Sequence, residues 1–519
     1  MRVMFVSPVT LGVGAPSLED VVAVARGGAG VELSPDALQA IEHSRAVIEA
    51  LAADETPHYG VSTGFGALAT LHIPHEKRVQ LQRSLIRSHA AGSGPEVERE
   101  VIRALMLLRL STLATGRTGV RPETARAYAA ALNANITPVV HEYGSLGCSG
   151  DLAPLAHCAL ALMGEGPVRD AADELTTAEL ALKDAGIAPI ELHEKEGLAL
   201  INGTDGMLGM LILAIADLRT LLVTADITAA MSVEGLLGTD RVFARDLQEL
   251  RPQHGQQQAA ANMRAILKDS PIVASHRGPE DTRVQDAYSL RCAPQVAGAA
   301  RDTLAHATRI AERELAAAVD NPVVTPDGRV ESNGNFHGAP VAYPLDFLAI
   351  AAADVASIAE RRTDRFLDPA RSHGLPPFLA DDPGVDSGYM IAQYTQAAIV
   401  SELKRLAVPA SVDSIPSSAM QEDHVSMGWN AARKLRKAVD GLSRVLAIEL
   451  LTAARGIDLR APLTPAPATG AVIQVLRETC PAPGADRFLA PEIEAAVAFV
   501  QAGGAVRAAE SVTGLLEAA

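Results

Sequence analysis

Residues 143–157 read YGSLGCSGDLAPLAH, and nothing in this stretch resembles a general base aimed at its serine. Ser149 stands between Cys148 and Gly150, with Asp151 following and Gly144 and Gly147 upstream. A nucleophilic serine needs an activating base within hydrogen-bond reach. The nucleophile-elbow frame G-x-S-x-G fails here, because Asp151 takes the place of the second glycine. That frame is met at Gly60-Val61-Ser62-Thr63-Gly64, but the preceding LAADETPH is no buried strand. The alternative chemistry consumes the serine. Attack of the Gly150 nitrogen on the Cys148 carbonyl, with loss of two waters, closes a five-membered ring. Its exocyclic methylidene is the former serine Cβ. Glycine suits the attacking position because a missing Cβ permits close backbone approach. The product is a strong electrophile, which no standard side chain provides.

The stretch GSLGCSGDLAPLAH resembles the ring-forming signature of the histidine and aromatic ammonia-lyase family, whose cofactor is methylidene-imidazolone. That family more often carries Ala where this chain has Cys148, but the ring uses only backbone atoms of that residue. The resemblance spans nearly the whole chain, in order, through at least six motifs. HYGVSTGFG (58–66) is similar to an inner lid loop, its glycines giving mobility, with Tyr59 as the base that removes a substrate β-proton. Ser88-His89 in SLIRSHAAGSG is similar to a pair that tracks the substrate ring, and Ser-His implies histidine. An imidazole wants a hydrogen-bonding partner where a phenyl ring wants apolar contact. Asn202 in LALINGTDG takes the place of an amide that bonds the electrophile or the substrate, and Asp205 departs from the Gln of many relatives.

In VQDAYSLRCAP (284–294), Gln285, Tyr288 and Arg291 follow at spacings of three, so a helix there projects all three from similar faces. The resemblance makes Arg291 the clamp for the substrate carboxylate, a task its planar fork fits. It makes Tyr288 a group that orients the electrophile or assists proton movement. Phe336 in SNGNFHGAP falls beside the ring site, with Asn335 and His337 as neighbours. Glu422 in AMQEDHVSMGW is either a carboxylate for the substrate imidazole or ammonium, or a first-turn acid of the long helix that follows. Its company with Ser88-His89 favours the substrate role. Ser88, Asp151, Gln285 and Asn335 are expected to support the site.

What the resemblance implies is non-oxidative deamination of L-histidine to trans-urocanate and ammonia by an electrophile self-formed from Cys148-Ser149-Gly150. The alternative is an ammonia-lyase or 2,3-aminomutase acting on another aromatic amino acid. A third class, a non-catalytic helical assembly, is opposed by the intact Ser149-Gly150, Tyr59 and Arg291. The resemblance also implies a small-molecule amino acid as partner and a homotetramer whose active sites are shared among subunits. No metal is expected, since the 14 histidines include no HExxH and no HxH with Cys support.

The elements that must position these residues are mostly helices. Hydrophobic residues make up 48% of the 519 and aromatics only 3%, a palette suited to closely packed helices. Helical periodicity covers 97–115, 205–235, 294–319, 340–362 and 427–456, with Gly456 at the place of a C-terminal cap. The expected fold is mainly α: an elongated bundle of long helices with a mixed, loop-rich N-terminal region carrying the active-site loops. Soft boundaries divide it into 1–204, 205–456 and 457–519. A net charge of −17 argues against nucleic acid as a partner. Four cysteines without CxxC spacing suit a reducing compartment. The start MRVMFVSPVT lacks the parts of a signal peptide, and the apolar run at 207–218 is too short for a membrane span. These features point to the cytoplasm.

Overall fold

A computed structural model of the chain describes residues 7–54, 56–278, 281 and 284–518, and it is mainly α. The expected helices are present as Arg99–Ala114, Asp205–Gly235, Ala293–Leu315, Ala339–Leu367 and Gly428–Asp458. The chain forms two compact units that interleave along the sequence.

The first unit takes Met1–Leu213, Thr308–Leu345 and Pro409–Arg433. Its central helix, Arg99–Ala114, is buried continuously from Val101 to Ala114, as its nearly all-apolar sequence demands. The two arginines in that buried run act as ties. Arg103 donates to the carbonyls of Val24 and Leu132, and Arg109 to those of Ala199, Asn202 and Val319. Buried cations that satisfy carbonyls in this way fix helix ends and loops against the helix. Short strands trim this unit. Val9–Leu11 pairs in parallel with Val31–Leu33, and Ser93–Glu96 pairs antiparallel with His141–Tyr143.

The second unit takes Ala214–Ala307, Asp346–Val408 and Lys434–Ala519. A buried carboxylate, Glu449, ties its helices by accepting from Thr228, Ser232 and Arg362. Gly456 is not a cap. It lies inside the helix Gly428–Asp458, where an added Cβ would come 2.4 Å from Phe366 Cε1. Glycine is there for close packing. The apolar run at 207–218 is also part of something longer. It belongs to the 31-residue helix Asp205–Gly235, and the span Glu196–Gly235 that contains it and Ala339–Leu367 both reach the length and hydropathy of a membrane span. Their most apolar windows are 78% and 61% buried within the fold, which marks core helices.

Candidate active site

The site lies in the first unit. Segment 143–151 leaves the strand His141–Tyr143 and enters the helix Leu152–Leu162. Its residues are small because the backbone is enclosed. A Cβ on Gly150 would lie 2.0 Å from Gly203 O, and one on Gly147 would lie 2.3 Å from Ser426 Oγ. Both glycines adopt positive φ, +78° and +65°, which costs an L side chain about 1–2 kcal/mol. Neighbouring loops grip the segment by its backbone. The Asp151 N–H donates to Gly203 O at 2.7 Å, Ser426 Oγ to Gly147 O at 2.7 Å, and the Met427 N–H to Leu146 O at 2.9 Å. Behind it the wholly buried Asp151 carboxylate accepts from Ser145 Oγ at 2.8 Å and the Met207 N–H at 2.9 Å. Burial pushes the Asp151 pKa up to about 7, against the pull of those donors.

A cavity of about 480 Å³ opens over Ser149, its wall including Tyr59, Ser88, His89, Asn202 and Glu422. A second, of about 360 Å³, shares Tyr59, Ser149 and Glu422 and adds Cys148, Phe336 and His337. Tyr59 belongs to a loop folded back on itself by Gly64 N–H to Leu71 O and Ile73 N–H to Ser62 O, both 2.9 Å. The Gly66 N–H donates to Tyr59 Oη at 3.3 Å and directs the ring.

His89 ends the helix Arg78–His89. Ser88 Oγ lies 3.0 Å from Leu85 O and 3.1 Å from His89 Nδ1. A carbonyl has no proton to give, so the hydroxyl donates to Leu85 and accepts from Nδ1–H. The lone pair is thereby assigned to Nε2. Burial lowers the His89 pKa, opposed by its Leu85 contact and by the charge of Glu422.

Glu422 is presented by a loop bridged to Ser417, whose N–H donates to Glu422 O at 2.8 Å. The carboxylate accepts from Ser417 Oγ at 3.0 Å, Cys148 Sγ at 3.2 Å and Ser149 Oγ at 3.3 Å. The following helix begins at Gly428, so Glu422 is not its first-turn acid. Asn202 follows the helix Glu196–Ile201, and its Nδ2 donates to Asn321 O at 3.0 Å. Its Oδ1 is buried with no hydrogen-bond partner among the described residues.

Residues 17–478 match the profile of the aromatic amino acid lyases. The chain belongs to this family. It is 67% identical over 509 residues to a histidine ammonia-lyase of Streptomyces avermitilis, a match covering 98% of this chain and 99% of that one. A histidine ammonia-lyase of Anaeromyxobacter dehalogenans is 50% identical over 494 residues, covering 94% and 97%. Among solved structures, a tyrosine aminomutase from Streptomyces globisporus superposes with TM-score 0.93 at 37% identity, covering 98% of this chain and 100% of that one. A histidine ammonia-lyase from Trypanosoma cruzi gives 0.89 at 38%, covering 97% and 95%.

The family implies a methylidene-imidazolone, and the residues at 148–150 fit one. Gly150 occupies a cradle that any Cβ would fill, and the unpartnered Asn202 Oδ1 belongs to a residue of the same cavity wall.

Three of the expected residues are placed elsewhere in the chain. Gln285, Tyr288 and Arg291 belong to the second unit and line neither cavity. The helix there spans only Tyr288–Arg291, so Gln285 precedes it and the expected shared face reduces to two residues. The Arg291 guanidinium stands 4.7 Å over the Tyr288 ring, a cation–π contact. Asn335 is exposed, with its N–H on Asn333 Oδ1 at 2.8 Å, and it too lines neither cavity.

Other contributors escape sequence reasoning. Arg109 holds the Asn202 carbonyl at 3.0 Å and the Val319 carbonyl at 2.9 Å. A lone charge inside ALMLLRLSTLA was its one signal. Lys195, wholly buried, pairs with the equally buried Asp320 beside Asn321, and neither residue advertises this. Ser417, which grips Glu422, carried no signal.

Proposed function

We propose that this chain deaminates L-histidine non-oxidatively, releasing trans-urocanate and ammonia, with an electrophile formed from its own residues 148–150. The convergence of Ser149, Tyr59, His89 and Glu422 on one cavity carries the proposal. The methylidene-imidazolone supplies an electron-accepting carbon, which makes loss of ammonia and of the weakly acidic β-proton feasible. The chain's own residues do the rest. Tyr59, its oxygen directed by the Gly66 N–H, takes the β-proton. The Nε2 lone pair of His89 and the Glu422 carboxylate are acceptors that match imidazole and ammonium N–H donors, and a phenyl ring offers them nothing. Apolar walls from Leu81, Leu85, Leu198 and Ile201 exclude water around the ring. Fixed orientation of this kind contributes several kcal/mol.

Arg291 would clamp the carboxylate, and we infer that a second copy of the chain supplies it in a homotetramer. The helix Ala339–Leu367 exposes Tyr343, Phe347 and Ile350 at spacings of four and three, an apolar stripe suited to self-assembly. Co-expressed Tyr59→Phe and Arg291→Ala chains should then show more activity together than either alone. No gain on mixing would refute shared sites. The reaction itself is tested by incubating the protein with L-histidine, L-phenylalanine and L-tyrosine and following the conjugated acid by ultraviolet absorbance. Turnover of L-histidine is expected, and preference for either other amino acid would overturn the assignment.

A further inference from the structure

Ring closure needs only the backbone of Cys148, yet the thiol is buried against the carboxylate of Glu422. Ring closure joins the Gly150 nitrogen to the Cys148 carbonyl carbon. One water carries off the Cys148 carbonyl oxygen with the amide protons of Ser149 and Gly150, and the other carries off the Ser149 hydroxyl with its Cα proton. Of the three donors on Glu422, one therefore disappears. Ser149 Oγ is the donor on Oε1, whereas Cys148 Sγ and Ser417 Oγ both donate to Oε2.

Resting on the histidine reading above, we propose that Cys148 and Ser417 are positioning residues that hold Glu422 Oε2, and that loss of the serine hydroxyl on ring closure releases Oε1 for the substrate. Maturation thus creates the electrophile and vacates the seat beside it in one event. The grip is stiff. Ser417 and Glu422 are bridged through their backbones, and Ser418, Ala419 and Met420 between them all hold φ between 50° and 71°, conformations that non-glycine residues adopt only when their surroundings enforce them. Burial, then the charge of Glu422, pushes the Cys148 thiol up to about 12, so it remains a protonated donor at neutral pH.

The test compares Cys148→Ala, Cys148→Ser and Ser417→Ala in the full chain. Removing a donor should raise KM for L-histidine roughly 3–10-fold with a smaller change in kcat. Cys148→Ser should restore the KM. Independently of turnover, calorimetric titration of L-histidine into the Ser149→Ala chain, which has neither ring nor hydroxyl, should weaken by the same factor on adding Cys148→Ala or Ser417→Ala. Unchanged KM and calorimetric affinity would overturn the proposal, as would a Cys148→Ser variant no better than Cys148→Ala. If the unmodified enzyme fails to turn over L-histidine, the histidine reading fails instead.

Discussion

Replacing Gly150 by Ala tests whether the enclosed backbone at 148–150 is what permits ring closure. The added Cβ would sit 2.0 Å from Gly203 O and 2.3 Å from Gly203 C. Both are backbone atoms, and Gly203 O is tied to the Asp151 N–H at 2.7 Å, so they have little freedom to retreat. The φ of +78° adds a penalty of about 1–2 kcal/mol, and overpacking of this severity adds about 1–3 kcal/mol. Borne by the reacting turn, a total of about 2–5 kcal/mol slows closure roughly 30- to 5,000-fold. The assay is the fraction of chains short of two waters by intact mass at fixed times after expression, with L-histidine turnover measured on the same samples. Gly150→Ala protein that matures as fast and as fully as the unmodified chain would show that the enclosed backbone does not govern ring closure.

Lys195→Met leaves Asp320 buried without its cation and should lower stability by about 3–5 kcal/mol, read as an earlier denaturant midpoint. Asp151 is the raised-pKa case. The folded state favours its neutral form, so its stability contribution is fullest below the unfolded value of 3.8 and is lost as pH rises to about 7. Unfolding free energies should therefore fall between pH 5 and pH 8 by about 3 kcal/mol more for the unmodified chain than for Asp151→Asn, and equal pH slopes would contradict that burial. His89→Leu should mature normally by mass yet lose about 100-fold in kcat/KM for L-histidine. A change below threefold would remove His89 from the substrate seat.

The long helices were legible because apolar periodicity survives wherever a helix face packs. The ring segment was legible because its chemistry is local in sequence, with Cys148, Ser149 and Gly150 adjacent. What escaped depends on distance or on ambiguity. Lys195 and Asp320 are 125 positions apart, and a charged residue looks the same in sequence whether paired in a core or solvated. Gly456 misled because a helix cap and a close helix approach both select the residue without a Cβ. The loop around Glu422 hid its geometry, since Ser418, Ala419 and Met420 are not residues chosen for left-handed backbone. The interleaving of the two units is likewise invisible to linear patterning.

Self-formation of the electrophile is tested most directly by mass analysis of the proteolytic peptide carrying residues 148–150, taken from purified protein that turns over L-histidine. The peptide should be lighter than its sequence mass by two waters, with fragmentation placing the loss at Cys148-Ser149-Gly150. A catalytically competent preparation in which that peptide retains its full mass would contradict the account.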